Sequence, residues 1–315
     1  MKPYFSIIIP LYNKQNHIKH TINTVINQSF KDFEIIVVND GSTDKSQDIV
    51  SNINESRISI FTIKNQGVSF ARNFGVKKTT SDRIVFLDAD DSWETNHLET
   101  LFNLYQEYPS CGLYCTAYQK KIKHKIIPST YNSIPKITDW SGIIPDFFEA
   151  SFINCIAWTS AVSIPKRAFI AVHGFDESIT LGAGEDTDLW IKLAINYPVA
   201  FTNTVTATHN LYAENRISNS STSLRNFINL DNYEAAARDN KSLKKYIDLN
   251  RFALALKYKV DRNELKFKEH QSKIDFKNLN WKQKLILKCN RTLLITAKNI
   301  QVFLQQSNLF LSSFK

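Results

Sequence analysis

DRIVFLDADDSW, residues 82–93, runs from a short β-branched apolar segment straight into three carboxylates within four positions. An apolar run without alternation is what a strand covered on both faces requires, and acids placed directly after it stand at that strand's carboxyl end. Three earlier segments have the same character: FSIIIPL (5–11), FEIIVV (33–38) and ISIFTI (58–63). Between them, helical spacing puts Ile18, Ile22, Val25 and Ile26 on one face, Ile49 and Ile53 on another, and Val68, Ala71, Phe74 and Gly75 on a third. Ser42 or Thr43 is expected to cap the second helix, and Ser92 or the Glu94-Thr95 turn to open the fourth. The alternation predicts a doubly wound α/β domain, a mainly parallel sheet flanked by helices with ligands at the carboxyl ends of its strands.

From about residue 112 the pattern is mixed. A strand-like GLYCTAYQK is followed by a loop-rich stretch to about 148 and an aromatic segment, FFEASFINCIAWTSAVSI. Glu185-Asp186-Thr187-Asp188 then precedes a helical apolar pattern, so the acids complement the helix dipole. A strand at roughly Val199 to His209 leads to a Ser/Asn-rich loop, AENRISNSSTS. The expected division is 1–224 as one α/β domain and 225–315 as a helical C-terminal extension.

The 315 residues, 43% hydrophobic, suffice for one large core or one with an appendage. No apolar run approaches the roughly 18 residues of a membrane span, so neither a signal peptide nor a transmembrane helix is expected. Cys111, Cys115, Cys155 and Cys289 lack the pairing of a zinc site or disulfide scaffold, which fits a reducing, cytoplasmic setting. Net charge is −2 over residues 1–224 and +11 over 225–315. Such a tail suits nucleic acid, anionic lipid or an acidic partner. Residues 276–315 hold seven Lys and Arg and no acid. One continuous helix from Trp281 would gather Leu285, Ile286, Cys289, Leu293, Ala297, Ile300 and Leu304 opposite Lys284, Lys288, Arg291 and Lys298, a pattern for an anionic membrane surface.

Two strands end in acid, at Asp40 and at Asp88, Asp90 and Asp91, on one edge of a parallel sheet. Spacing of two in an extended backbone sends Asp88 and Asp90 to one side, so one can take a hard cation and the other ribose hydroxyls, while Asp91 points away. Three adjacent anions also repel unless a cation compensates them. Asp44 reads as a turn or first-turn acid. Neither a glycine-rich dinucleotide fingerprint nor a phosphate-binding P-loop occurs, so a nucleotide must be gripped by strand-end acids and a divalent ion.

SIIIPLYN, VVNDGSTD, NQGVSFARNFG, FLDADD and GEDTDLW, in this order, resemble the inverting family 2 glycosyltransferases of GT-A fold over about residues 4–220. The resemblance implies nucleotide-sugar binding in 1–111 and acceptor binding with the catalytic base in 112–224. Pro10 and Tyr12 would line the uridine pocket, Asp40 would meet the uracil edge, and Arg72 would lie near the base or diphosphate. Gly75 would allow close helix packing. Asp88 would contact ribose, and Asp90 would coordinate Mn²⁺ or Mg²⁺, with His209 as a second metal ligand. Asp186 is similar to the family's general base, with Glu185 in support and Asp188 structural. Arg216 and Ser218 resemble a segment that closes over the donor, and Trp158 would stack on an acceptor sugar. The implied partners are a nucleotide-sugar donor, UDP-linked, and a saccharide or lipid-linked acceptor, with no nucleic acid expected. A sugar nucleotidyltransferase would want an early glycine-rich, Arg/Lys-bearing loop that PLYNKQNH does not supply. A nucleic-acid-binding protein acting through its tail would leave the carboxylates unexplained.

Overall fold

The computed structural model describes residues 2–214 and 222–306, with side chains to residue 300. In chain order the elements are β1 (Phe5–Leu11), α1 (Ile18–Ile26), β2 (Phe33–Asp40), α2 (Ser46–Ser51), β3 (Ile58–Ile63), α3 (Val68–Lys78), β4 (Arg83–Phe86), β5 (Ser92–Trp93) and α4 (His97–Glu107). They continue with β6 (Leu113–Ile122), β7 (Lys125–Pro128), β8 (Ser141–Ile143), α5 (Phe147–Ala150), β9 (Val162–Pro165), α6 (Lys166–Ala171), α7 (Glu185–Asn196) and β10 (Val199–Asn210). The rest is helical: α8 (Glu234–Ala237), α9 (Lys241–Val260), α10 (Glu264–Ser272), α11 (Trp281–Lys288) and α12 (Arg291–Gln306).

The sheet order is β3-β2-β1-β4-β9-β6-β10-β5, with β7 on β6 and β8 on β10. β3, β2, β1 and β4 are parallel, as the βα alternation requires. β9 then lies antiparallel between β4 and β6, and the sheet becomes mixed. All seven residues of β1 are buried, since helices cover both faces. β3 differs from the expectation of a doubly covered strand. It is the sheet edge, and Ser59 and Thr62 are exposed.

Ile18, Ile22 and Val25 of α1 are buried as their spacing predicts, and Ile26 is half-buried. Gly75 lets α3 close on the sheet, because a Cβ there would stand 2.6 Å from Ile8 Cγ2. The predicted caps differ. α2 begins at Ser46 and α4 at His97, neither with a side-chain cap, while Ser92 lies in β5. Asp44 instead accepts from the Ser46 and Gln15 amides and fixes the loop.

The chain divides into two compact units, residues 1–147 with 154–228, and residues 148–153 with 229–315. A single cut at 224 thus misses the return of 148–153 to the second unit. That unit has its own core of Leu249, Phe252, Ala255, Phe267, Ile274, Leu279 and Leu287. Its acids are largely used internally: buried Arg251 pairs with Asp231 and Glu234, and Lys244 with Asp248. The expected single helix from Trp281 is two helices. The chain is extended at Cys289, and Asn290 Oδ1 accepts from the Leu293 amide to restart it. Ile286 and Leu287 therefore face the core, while Trp281, Leu285, Leu293 and Ile300 remain more than half exposed. Among the described residues no helix is long and apolar enough to cross a membrane.

Candidate active site

A cavity of about 250 Å³ opens at the carboxyl ends of β1, β2 and β4, lined by Pro10, Tyr12, Asp40, Arg72, Asp88, Asp90, Glu185 and His209, among others. The topology explains the gathering. β1 and β2 lie side by side and parallel, β4 flanks β1, and the chain leaves each at the same sheet edge. Tyr12 is 41% exposed, so its ring is open to a stacking partner instead of being buried in the core. Asp40 is buried, and its two oxygens accept the Gln66 and Gly67 amides at 2.8 and 2.9 Å. Burial raises its carboxyl above the usual range against those two hydrogen bonds. Asp40 thereby fixes the turn into α3, where Gly67 takes φ +92°, a conformation that L side chains rarely adopt.

The FLDADD segment is not extended past Phe86. The Asp91 amide donates to the Asp88 carbonyl at 3.0 Å, so the acids stand on a turn and the alternation argument for their directions does not apply. They separate by partner instead. Asp88 Oδ1 takes the Arg72 Nη2 at 2.6 Å. Asp90 Oδ2 takes the Lys14 ammonium at 2.7 Å. Asp91 is buried, accepts from Ser160 Oγ at 2.7 Å and from the Asn210 amide at 3.0 Å. Burial, then the charges of Asp90 and Asp88, raise its carboxyl well above the usual range. Ser160 Oγ also accepts the Asp88 amide at 3.1 Å, so Asp91 and Ser160 together shape the acidic turn.

Arg72 is buried, and its second nitrogen lies 3.5 Å from Glu185 Oε1 at the start of α7. It therefore bridges the strand-end acid and the later helix. Burial and the neighbouring Asp186 charge push the Glu185 carboxyl up to about 7, against the lowering effect of Arg72. Asp186, half-buried in the same turn, accepts hydrogen bonds from the Thr187 amide and hydroxyl. Asp186 and Trp158 stand outside the cavity lining, whereas Glu185 is part of it. Asp188 is buried and pairs with Lys192. The Trp158 ring packs at 4.7 Å on both Tyr118 and His209, as a wall more than an open platform. Arg216 and Ser218 lie outside the described residues.

Sequence reasoning missed Lys14 and Ser160. Lys14 stands in PLYNKQNH, directly after β1, and that stretch does supply a basic residue though no glycine. With Arg72 it neutralises two of the three adjacent acids, so their mutual repulsion does not by itself require a metal. Among the described residues no group of three His, Cys, Asp or Glu is gathered to hold an ion.

The family model for glycosyl transferase family 2 matches residues 6–169, just over half the chain. The chain belongs to that family. The match spans β1 through most of α6, so it includes Asp40, Arg72 and the FLDADD turn. This family 2 protein is 40% identical over 187 residues to the minor teichoic acid biosynthesis protein GgaA of Bacillus subtilis, covering 56% of this chain and 40% of that one. It is 27% identical over 239 residues to a glycosyltransferase of Rickettsia typhi, covering 74% and 70%. Other relatives are much longer: the match spans only 26% of a Rickettsia bellii glycosyltransferase. The crystal structure of Staphylococcus aureus TarS 1–349 in complex with UDP-GlcNAc shares the fold at a TM-score of 0.57 and 17% identity, over 87% of this chain and 72% of that one. The family 2 protein thus has the GT-A α/β fold with C-terminal helices.

Proposed function

We propose that this protein is an inverting, metal-dependent glycosyltransferase. It moves a sugar from a UDP-linked donor to a hydroxyl of a saccharide or lipid-linked saccharide in cell-surface polysaccharide synthesis. The observation that carries this is the convergence of Asp40, Arg72, Asp88, Asp90 and Glu185 on one cavity within a family 2 chain. The names of GgaA and of the TarS complex support the polymer class and the UDP-sugar donor.

In this reading Tyr12 stacks on the base, Asp40 and its turn border the uracil, and Asp88 meets the ribose. Asp186 accepts the proton of the acceptor hydroxyl as that oxygen attacks the anomeric carbon. The bond to the diphosphate breaks with its electron pair on the leaving oxygen, and the anomeric centre inverts. Asp90 and His209, both on the cavity, are the residues that would hold Mn²⁺ or Mg²⁺. A carboxylate and an imidazole on one cavity would suit such an ion once Asp90 is released from Lys14. Such an ion would supply charge stabilisation for the departing diphosphate. The test is nucleoside diphosphate release across a panel of nucleotide sugars with and without Mn²⁺. Metal-dependent release from a UDP-sugar is expected, and no release from any donor, with acceptors present, contradicts it.

The tail is proposed to rest on anionic lipid at the cytoplasmic face of a membrane, where lipid-linked acceptors lie. Exposed Trp281, Leu285, Leu293 and Ile300 flank basic residues in a stretch without acids. Leu279 and Leu287 belong to the core, so deletion of 276–315 would test folding instead. Leu293→Glu with Ile300→Glu should abolish sedimentation with phosphatidylglycerol vesicles; undiminished sedimentation would refute lipid docking.

A further inference from the structure

β6 and β10 place a second group of side chains beside the donor cavity. The strands run parallel with Ala207 opposite Tyr118 and His209 opposite Lys120, so Tyr118, Lys120 and His209 share one sheet face. Trp158 packs on that face against Tyr118 and His209. The Lys120 ammonium lies 5.8 Å from the centre of the Tyr118 ring and donates to Asn154 Oδ1 at 2.5 Å. Asn154 is held in turn by donating to the Thr130 carbonyl at 2.9 Å. The group borders the donor cavity through His209, which is part of the cavity lining.

Lys120 is half-buried, and burial lowers its ammonium below the usual lysine range. Its partner is a neutral amide, and no salt bridge joins it to a described acid. A half-buried cation set against a neutral group carries part of the desolvation cost of burial, which an anion would offset. The local sequence provides none. Residues 108–138 contain five Lys and one His and no Asp or Glu, and Lys121, Lys123 and Lys125 crowd the same β6–β7 hairpin.

We propose that Lys120, held by Asn154, is an anion subsite for the acceptor, receiving a phosphate or carboxylate carried close to the attacked hydroxyl. The inference rests on the glycosyl-transfer reading, because Asp186 defines the side from which the acceptor approaches. It narrows the acceptor to an acidic glycan or a phosphate-linked polymer or lipid.

The test uses the full chain and three matched probes, sn-glycerol 3-phosphate, glycerate and glycerol, titrated with and without saturating UDP and read by calorimetry. At least one anion should bind with UDP present, and glycerol should not. Lys120→Met should weaken that anion on the order of tenfold, as expected for a lost hydrogen bond to a charged group, with UDP affinity unchanged. Lys120→Arg should retain binding. Binding of the phosphate alone assigns a phosphate-bearing acceptor, and binding of glycerate alone a carboxylate-bearing one. The proposal is overturned if neither anion binds, if glycerol binds equally, or if Lys120→Met leaves anion binding intact. It is also overturned if that variant weakens UDP instead, since the cation would then serve the donor. Lys120-dependent anion binding without any UDP binding would keep the subsite and refute the donor assignment.

Discussion

The acids after β4 and the acid at the start of α7 are treated differently by the protein. Asp88 and Asp90 are each ion-paired, to Arg72 and Lys14, and Asp91 is buried against Ser160 and the Asn210 amide. Asp186 has no salt bridge among the described residues and accepts only from Thr187 of its own turn. Groups that hold a ligand gain from being fixed by partners, whereas a carboxylate that takes up a proton must not be clamped by a cation that favours its charge. The contrast matches the proposed split between acids that hold the donor and an acid that takes the proton.

Three substitutions probe that contrast. Arg72→Met should have the largest effect, because it strands Asp88 and buried Glu185 together. Breaking a buried pair costs about 3–5 kcal/mol, seen as a large fall in Tm with loss of donor affinity. An unchanged Tm would mean that the bridge is not what fixes the acids. Lys14→Met should destabilise by about 1.5–3 kcal/mol, the scale of a hydrogen bond to a charged group. By releasing Asp90 it should also tighten Mn²⁺ binding in titration calorimetry, and unaltered Mn²⁺ affinity would remove Asp90 from the ligand set.

The smallest effect concerns pH. The Glu185 carboxyl is pushed up to about 7, so the folded chain holds that proton more firmly than the unfolded one does. Its contribution to stability is full below the ordinary glutamate range and is lost as pH rises through about 7. Glu185→Gln should therefore gain on the native protein by a few degrees in Tm between pH 5 and pH 8, and parallel pH profiles would refute the buried, raised carboxyl.

The first half of the fold was legible because β1, β2 and β4 are buried on both faces, and burial writes itself as uninterrupted Ile, Val and Phe. β3 has the same composition but sits at the edge, a position that no local pattern encodes. β9 is four residues inside an aromatic segment, and its antiparallel insertion between β4 and β6 depends on pairing across some 80 residues of chain. The candidate site followed the same division. The strand-end acids were visible, but the partner that fixes Asp91, Ser160, is 69 residues away. Lys14 was readable in principle, as a lysine just past a strand that faces an acidic strand end. The break between α11 and α12 also had a signal, since Asn290 is a good cap two residues before Thr292 and three before Leu293.

The most direct test of the division between holding and proton transfer compares turnover with donor affinity in Asp186→Asn. The variant should lose about 10²- to 10⁴-fold in kcat, the usual contribution of a general base, with UDP affinity within about twofold of the native protein. Native turnover in Asp186→Asn, or a loss of UDP binding equal to its loss of turnover, would contradict the account.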